Sequence, residues 1–332
     1  MKKGSQTVIF KKQPRIIGYY SIVGPKEGKG PFKECFDYVM KSDAFHESSY
    51  EKAERKMLQQ AVTGAIQKSK LTPKDINILV AGDLLNQIIS SSFAAREFDM
   101  PYLGLFGACS TMAESLAVGA TLVDSGYFKN VACCTGSHFS TAERQFRYPL
   151  ELGNQRPPTA QWTVTGSGCS ILSLEGDGPR ITMATFGKVI DYGVDDVNNM
   201  GAAMAPAAMS TLIAHFKDTN TKPSDYDLIL SGDLGKLGSE ILIDLMEDAG
   251  VPLGMNYNDC GQMIFGNYQS VLMGGSGCGC SASMFNSFVL KKIEEGQYKR
   301  VLFMATGALM STTSAQQGDT IPGIAHAIVV ER

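Results

Sequence analysis

The chain has 332 residues, 44% of them apolar and 19% charged, with 30 basic against 33 acidic side chains and a formal net charge of −3. That length suits two fused units of about 150 residues with a sizeable core, and the balanced charge, with no basic run, excludes the electrostatic footprint of a nucleic-acid binder. No apolar stretch approaches the roughly 18 residues of a spanning helix, and the N-terminal apolar run is too short for a signal-peptide core, so the chain is not expected to enter a membrane by itself.

The eight cysteines mostly sit in apolar or glycine-rich contexts, which suits reduced, buried thiols and a reducing compartment. No Cys-x-x-Cys pair exists, so no metal site is assigned, and no cofactor is implied.

In chain order, "YEKAERKMLQQAVTGAIQKSK" from residue 50 places Met57, Leu58, Ala61, Val62, Ala65 and Ile66 on one helical face. The run "INILVAG" that follows is continuously apolar, as in a parallel strand buried on both faces. This segment recurs: "LTPKDINILVAGD" (71–83) matches "TKPSDYDLILSGD" (221–233) at a Pro, an Asp, a Gly and a final Asp. Further on, "GACSTMAESLAVGATLVDSGYFKNV" (107–131) lines up with "GCGCSASMFNSFVLKKIEEGQYKRV" (277–301). The offset grows from 150 to 170, which puts about 20 extra residues in the second copy, around 250–270. The repeat predicts an α/β chain of two βαβα units, 1–176 and 177–332, related by a pseudo-twofold axis.

Ligands of such open α/β units bind beyond the carboxyl ends of the strands. Asp83, Cys109, Asp233 and the loop "GGSGCGC" (274–280) all fall there. Thr111 and Glu114 are spaced as a capping box, which places Cys109 at a helix amino terminus. Such a terminus favours a thiolate, with a pKa drawn from about 8.5 into the range of roughly 3.5 to 7.5, and equally favours a ligand carboxylate. Free cysteine also works as a small buried hydrophobe; Cys133, Cys134 and Cys169 are read that way.

The segment 137–158, "SHFSTAERQFRYPLELGNQRPP", alternates His138, Arg144, Arg147 and Arg156 with aromatic residues. Arginine's planar fork can hold a carboxylate through two parallel hydrogen bonds, although these arginines could instead pair with Glu143 and Glu151. Asp83 and Asp233 would repel an anion unless protonated or engaged in capping. A calcium cage of about 6 to 8 oxygens cannot be assembled from the sequence. His326 reads as a core histidine or a pocket lining, and His46 and His215 as exposed.

Duplicated α/β halves with a cysteine opening the second helix of the first half resemble the thiolase fold, a layered αβαβα arrangement. Within it, "AGDLLNQ", "FGACST", "TAERQFRYP", "TVTGSG", "AMAPAA", "DYDLILSGDL", "GGSGCGCSA" and "DTIPGIAH" resemble the stage V sporulation protein AD family. The resemblance implies a soluble component of the machinery that moves dipicolinic acid, pyridine-2,6-dicarboxylate, into the developing spore. It further implies a homodimer, peripheral on the cytoplasmic side of the spore inner membrane, that associates with the integral subunits of the dipicolinate channel. Condensing enzymes of this fold add a His with an Asn or a second Cys in their second half. Here those places carry Asp233 and the His-free and Asn-free "GGSGCGC", with His326 about one turn of chain away. A Claisen condensation is therefore not expected, and the reading is noncovalent dipicolinate binding around Asp83, Cys109, His138, Arg144, Arg147, Asp233 and His326. The alternatives are an acyl-transfer enzyme using Cys109 on a coenzyme A thioester and a scaffold with a vestigial pocket.

Overall fold

The structure is a computed structural model and describes residues 1–153 and 155–332. Ten strands form its backbone: β1 (Arg15–Val23), β2 (Ile78–Gly82), β3 (Tyr102–Gly104), β4 (Asn130–Ser137), β5 (Gly166–Ser173), β6 (Arg180–Thr185), β7 (Leu228–Ser231), β8 (Tyr257–Asp259), β9 (Arg300–Ala308) and β10 (Gly323–Glu331). They lie in the order β8-β7-β9-β10-β6-β1-β5-β4-β2-β3, so each half follows the same path and the second repeats the first with every number raised by five. Pairings repeat as well. β2 is parallel to β3 and β4, as β7 is to β8 and β9, while β5 and β10 run antiparallel to their neighbours. The halves meet at β1 and β6 through the single pair Arg15 and Arg180.

The sequence repeat is visible bond by bond. Asp75 and Asp225 each accept from the backbone three residues before them, Thr72 and Lys222. Asn77 Oδ1 accepts from the amides of Lys129 and Asn130, and Asp227 Oδ2 accepts from those of Lys299 and Arg300. Most of the extra length of the second half falls at 260–276, between β8 and Gly277. It ends in the two-residue strand Gly275–Ser276, which pairs with Trp162–Thr163.

Helix α1 (Tyr50–Lys68) buries the apolar stripe read from the sequence, and Ser49 caps it by accepting from the Lys52 amide. It covers the outer face of the first half with α2 (Ile89–Ala95), as α5 (Met200–Thr219) and α6 (Gly235–Asp248) cover the second. Between the halves lie α3 (Thr111–Ser125) and α7 (Cys278–Met284), whose buried side chains share one core cluster with both half-sheets. The layering is αβαβα, the thiolase-like arrangement.

Close approach in the middle layer demands small residues. A Cβ on Gly168 of β5 would lie 2.2 Å from the Ala282 carbonyl oxygen of α7. Backbone cannot swing away as a side chain can, so Gly168→Ala is expected to destabilise the fold by about 1–3 kcal/mol or more. Urea denaturation at one pH checks this, and a change below about 0.5 kcal/mol would mean that α7 slides freely on β5.

His215 differs from its expected exposure. It is 1% exposed, with Nδ1 at 2.7 Å from the Thr185 hydroxyl and Nε2 at 2.7 Å from the Tyr226 hydroxyl. The polar residues around it in sequence, Thr211 and Thr219, point inward with it, which a local reading of polarity cannot show.

Candidate functional site

Cys109 sits in the turn over 108–110, where the first half meets β9 of the second. Ala108 before it holds φ +50°, the left-handed region that costs a residue with a Cβ of order 1 kcal/mol or more. That turn presses against β9, where Gly307 leaves room: a Cβ there would be 2.2 Å from the Gly107 carbonyl oxygen. The expected capping box does not form. Thr111 Oγ1 instead accepts from the Gly107 amide and donates to the Ala108 carbonyl, Ser110 Oγ donates to the Gly107 carbonyl, and Glu114 Oε2 is buried with no partner among the described residues. A 3-10 turn over 108–110 runs straight into α3, so the first-turn hydroxyls close the turn and not the helix end.

Behind Cys109 is Asp233, fully buried at the end of β7. Its carboxylate accepts from the Thr306 hydroxyl (2.7 Å), the Gly277 amide (3.0 Å) and the Ser276 hydroxyl (3.3 Å). The inserted segment 260–276 thus delivers Ser276 and Gly277 to this carboxylate. Asp259 fixes the loop next to Asp233, accepting from the amides of Leu234 and Gly235 at 2.9 Å. Burial pushes Asp233 up to about 6 and Asp259 up to about 7.

The Cys109 thiol is not a stabilised thiolate. Burial first, then the Asp233 carboxylate, pushes its pKa well above the ordinary thiol value, against the lowering expected from a helix terminus. An adjacent negative charge outweighs the partial charge of the turn. Where the resemblance implied an imidazole, a carboxylate stands, and an ionised carboxylate has no N–H to donate to a developing oxyanion.

In front of Cys109 opens a cavity with apolar walls from Leu84, Phe106, Phe146, Met200 and Met310. Its polar lining is Cys109, Thr163, Ser276 and one cation, Arg147. Arg147 ends α4 (Phe139–Phe146), pairs through Nη1 with Glu143 Oε1 at 2.7 Å, and keeps its buried Nε without a partner among the described residues.

Of the seven residues singled out from the sequence, the structure brings Cys109, Arg147 and Asp233 together, the last behind the cavity wall. Asp83 is fully buried and holds the loop that follows it, accepting from the Leu85 amide and from the amide and hydroxyl of Ser91. His138 caps α4: Nδ1 accepts from the Ser140 amide, which leaves Nε2–H to donate to the Asp43 carbonyl at 2.9 Å. Burial lowers its pKa, so it stays neutral in that role. Arg144 lies on the exposed side of α4, paired with Glu51. His326 is buried in β10, accepts from the Gly187 amide at 3.2 Å, and is held down to about 4 by burial. Sequence reading passed over Met200 and Met310, which carry no motif, while Phe106 and Phe146 lay inside the quoted segments "FGACST" and "TAERQFRYP". Thr163 and Ser276 lay inside the quoted segments "TVTGSG" and "GGSGCGCSA".

The architecture defines a class. Residues covering 96% of the chain superpose on all of the 3-oxoacyl-[acyl-carrier-protein] synthase III chain from Aquifex aeolicus, with a TM-score of 0.60 at 12% identity. Acetamide-bound OleA from Xanthomonas campestris matches over 98% of this chain and 100% of its own, with a TM-score of 0.64 at 11% identity. At such identity these likenesses establish the thiolase-like fold alone. The particular family is closer to hand: the family model for stage V sporulation protein AD matches residues 4–331. The stage V sporulation protein AD of Bacillus subtilis (strain 168) is 47% identical over 329 residues, covering 99% of this chain and 97% of that one. The chain belongs to the stage V sporulation protein AD family.

Proposed function

We propose that this sporulation protein binds dipicolinate noncovalently in the Cys109 cavity, for uptake of the dianion into the developing spore. The observation that carries the reading is Arg147, a guanidinium with an unmet donor opening into an apolar slot, as a flat aromatic carboxylate requires. The turn at Cys109 forms the floor, and the neutral thiol separates ligand from Asp233.

An acyl-transfer role for Cys109 is the alternative. The thiol held in its protonated form beside a carboxylate speaks against it. Calorimetric titration with dipicolinate should give saturable heat, and intact-mass measurement after exposure to acyl-coenzyme A should show no adduct. No heat together with an acyl adduct on Cys109 would reverse the assignment.

Homodimerisation belongs to the same proposal. β3 is an edge strand, and Phe93, Leu103 and Phe106 are exposed around it, the kind of edge that natural proteins cover. Sedimentation velocity that finds only monomer would remove this part. No helix among the described residues is long and apolar enough to cross a membrane. We assign the protein a peripheral place on the cytoplasmic side of the spore inner membrane, with the integral subunits of the dipicolinate channel as partners. Co-purification with those subunits from sporulating cells tests that placement, and its failure would detach the chain from the membrane.

A further inference from the structure

Beyond Arg147 lies a second chamber of about 170 Å³, lined by Phe139, Glu143, Arg147, Tyr148 and Arg156 among others. Its charge does not balance. Glu143 is shared by two guanidinium groups, bonded to Arg147 at 2.7 Å and 3.8 Å from Arg156. All three nitrogens of Arg156 are buried, and none has a hydrogen-bond partner among the described residues. A buried guanidinium with unmet donors is costly to keep, and a fold retains such a group at small cost only if something completes it.

One wall is Phe139, and Trp162 stacks behind it. Trp162 and Phe139 stack with centroids 3.7 Å apart and planes 7° apart, and the Arg156 guanidinium sits 4.9 Å from the Trp162 ring. Lys26 Nζ lies 4.0 Å over the same ring, which adds positive charge to this corner.

We infer that this chamber is a second anion site, in which Arg156 takes the carboxylate of a planar aromatic acid whose ring lies against Phe139. Arg147 lines both chambers, so a carboxylate released by Arg156 meets the guanidinium that serves the Cys109 cavity. That onward route rests on the reading of the Cys109 cavity given above; occupancy of the second chamber does not.

Trp162 is the chain's single tryptophan and touches two residues of the chamber lining, Phe139 and Arg156. Titration with benzoate, and separately with dipicolinate, is expected to change its emission saturably. Arg156→Gln should weaken that response at least tenfold, and Arg156→Lys, which keeps the charge without the fork, should fall between. Arg156→Gln should melt at or above the temperature of the unaltered protein, since an uncompensated buried charge is removed. Emission unmoved by either acid, or affinity unchanged in Arg156→Gln, would overturn the site. An equal response to inorganic phosphate would overturn its preference for aromatic acids. Saturable dipicolinate heat with a silent Trp162 would sink this chamber and leave the Cys109 cavity standing. A Trp162 response without protection of Cys109 from alkylation would do the reverse.

Discussion

Arg147→Ala is expected to weaken dipicolinate binding by roughly 30- to 4000-fold while the protein remains folded. Truncating one partner of a desolvated charge pair costs about 2–5 kcal/mol, and 1.4 kcal/mol is a factor of ten. The ligand would keep its apolar contacts with Leu84, Phe106 and Phe146 but lose the one cation of the cavity lining. Arg144→Ala is the matched control. It removes an arginine three residues away that points outward and pairs with Glu51, and surface pairs of this kind contribute about 0–1 kcal/mol. Calorimetry on both variants should separate them by more than tenfold. Equal losses would mean that general positive charge on α4, and not the cavity, attracts the ligand.

Glu27→Gln is expected to stabilise the protein by about 2–4 kcal/mol at pH 9 and to change it little at pH 5. Glu27 is fully buried with Oε1 accepting from the Thr165 amide at 3.1 Å and Oε2 unpartnered, and burial pushes it up to about 8. A carboxyl whose folded pKa is raised contributes stability that is complete below its unfolded value near 4.5 and is lost as pH rises through 8. Each tenfold difference in acidity between the folded and unfolded chain is worth about 1.4 kcal/mol. Asp233 (about 6), Glu114 (about 7) and Asp259 (about 7) act in the same direction. His215 and His326, both held down to about 4, act oppositely: their contribution is present above about 6.5 and fades as pH falls through 4. Stability should therefore peak in mildly acid solution and decline towards pH 9, with Gln at position 27 flattening the alkaline side. Urea denaturation of both proteins at pH 5 and pH 9 measures this. The same difference at both pH values would show that Glu27 is not the titrating group.

The duplicated plan was legible because each copy preserves the residues that close its turns. Asp75 and Asp225, and Asn77 and Asp227, make the same backbone bonds 150 residues apart. The added segment of the second half was visible as a shift in offset, but its effect was not: only the fold brings Ser276 and Gly277 onto Asp233. Cys109 and Arg147 stood out by chemistry and position. Asp83 and His138 stood out equally, yet both hold loops and helix ends, because a polar residue at a strand terminus serves a turn as readily as a ligand. The thiol's acidity was misjudged for a related reason. A helix terminus is a local feature of sequence, whereas the burial that raises the thiol, and the Asp233 carboxylate that adds to it from 124 positions further along, are products of the fold. Two of the cavity's apolar walls, Met200 at the start of α5 and Met310 beyond the end of β9, come from distant elements and have no signature in one sequence.

Whether dipicolinate sits against Cys109 is tested most directly by alkylation of that thiol with and without the ligand. Cys35 and Cys109 are the two partly exposed cysteines, the other six being buried, so Cys35 serves as an internal reference within the same molecule. At a pH high enough to ionise some of the raised Cys109 thiol, saturating dipicolinate should slow its modification by iodoacetamide at least tenfold and leave Cys35 unchanged, as followed by mass spectrometry of the two peptides. An unchanged ratio of Cys109 to Cys35 modification at saturating ligand would contradict binding in this cavity.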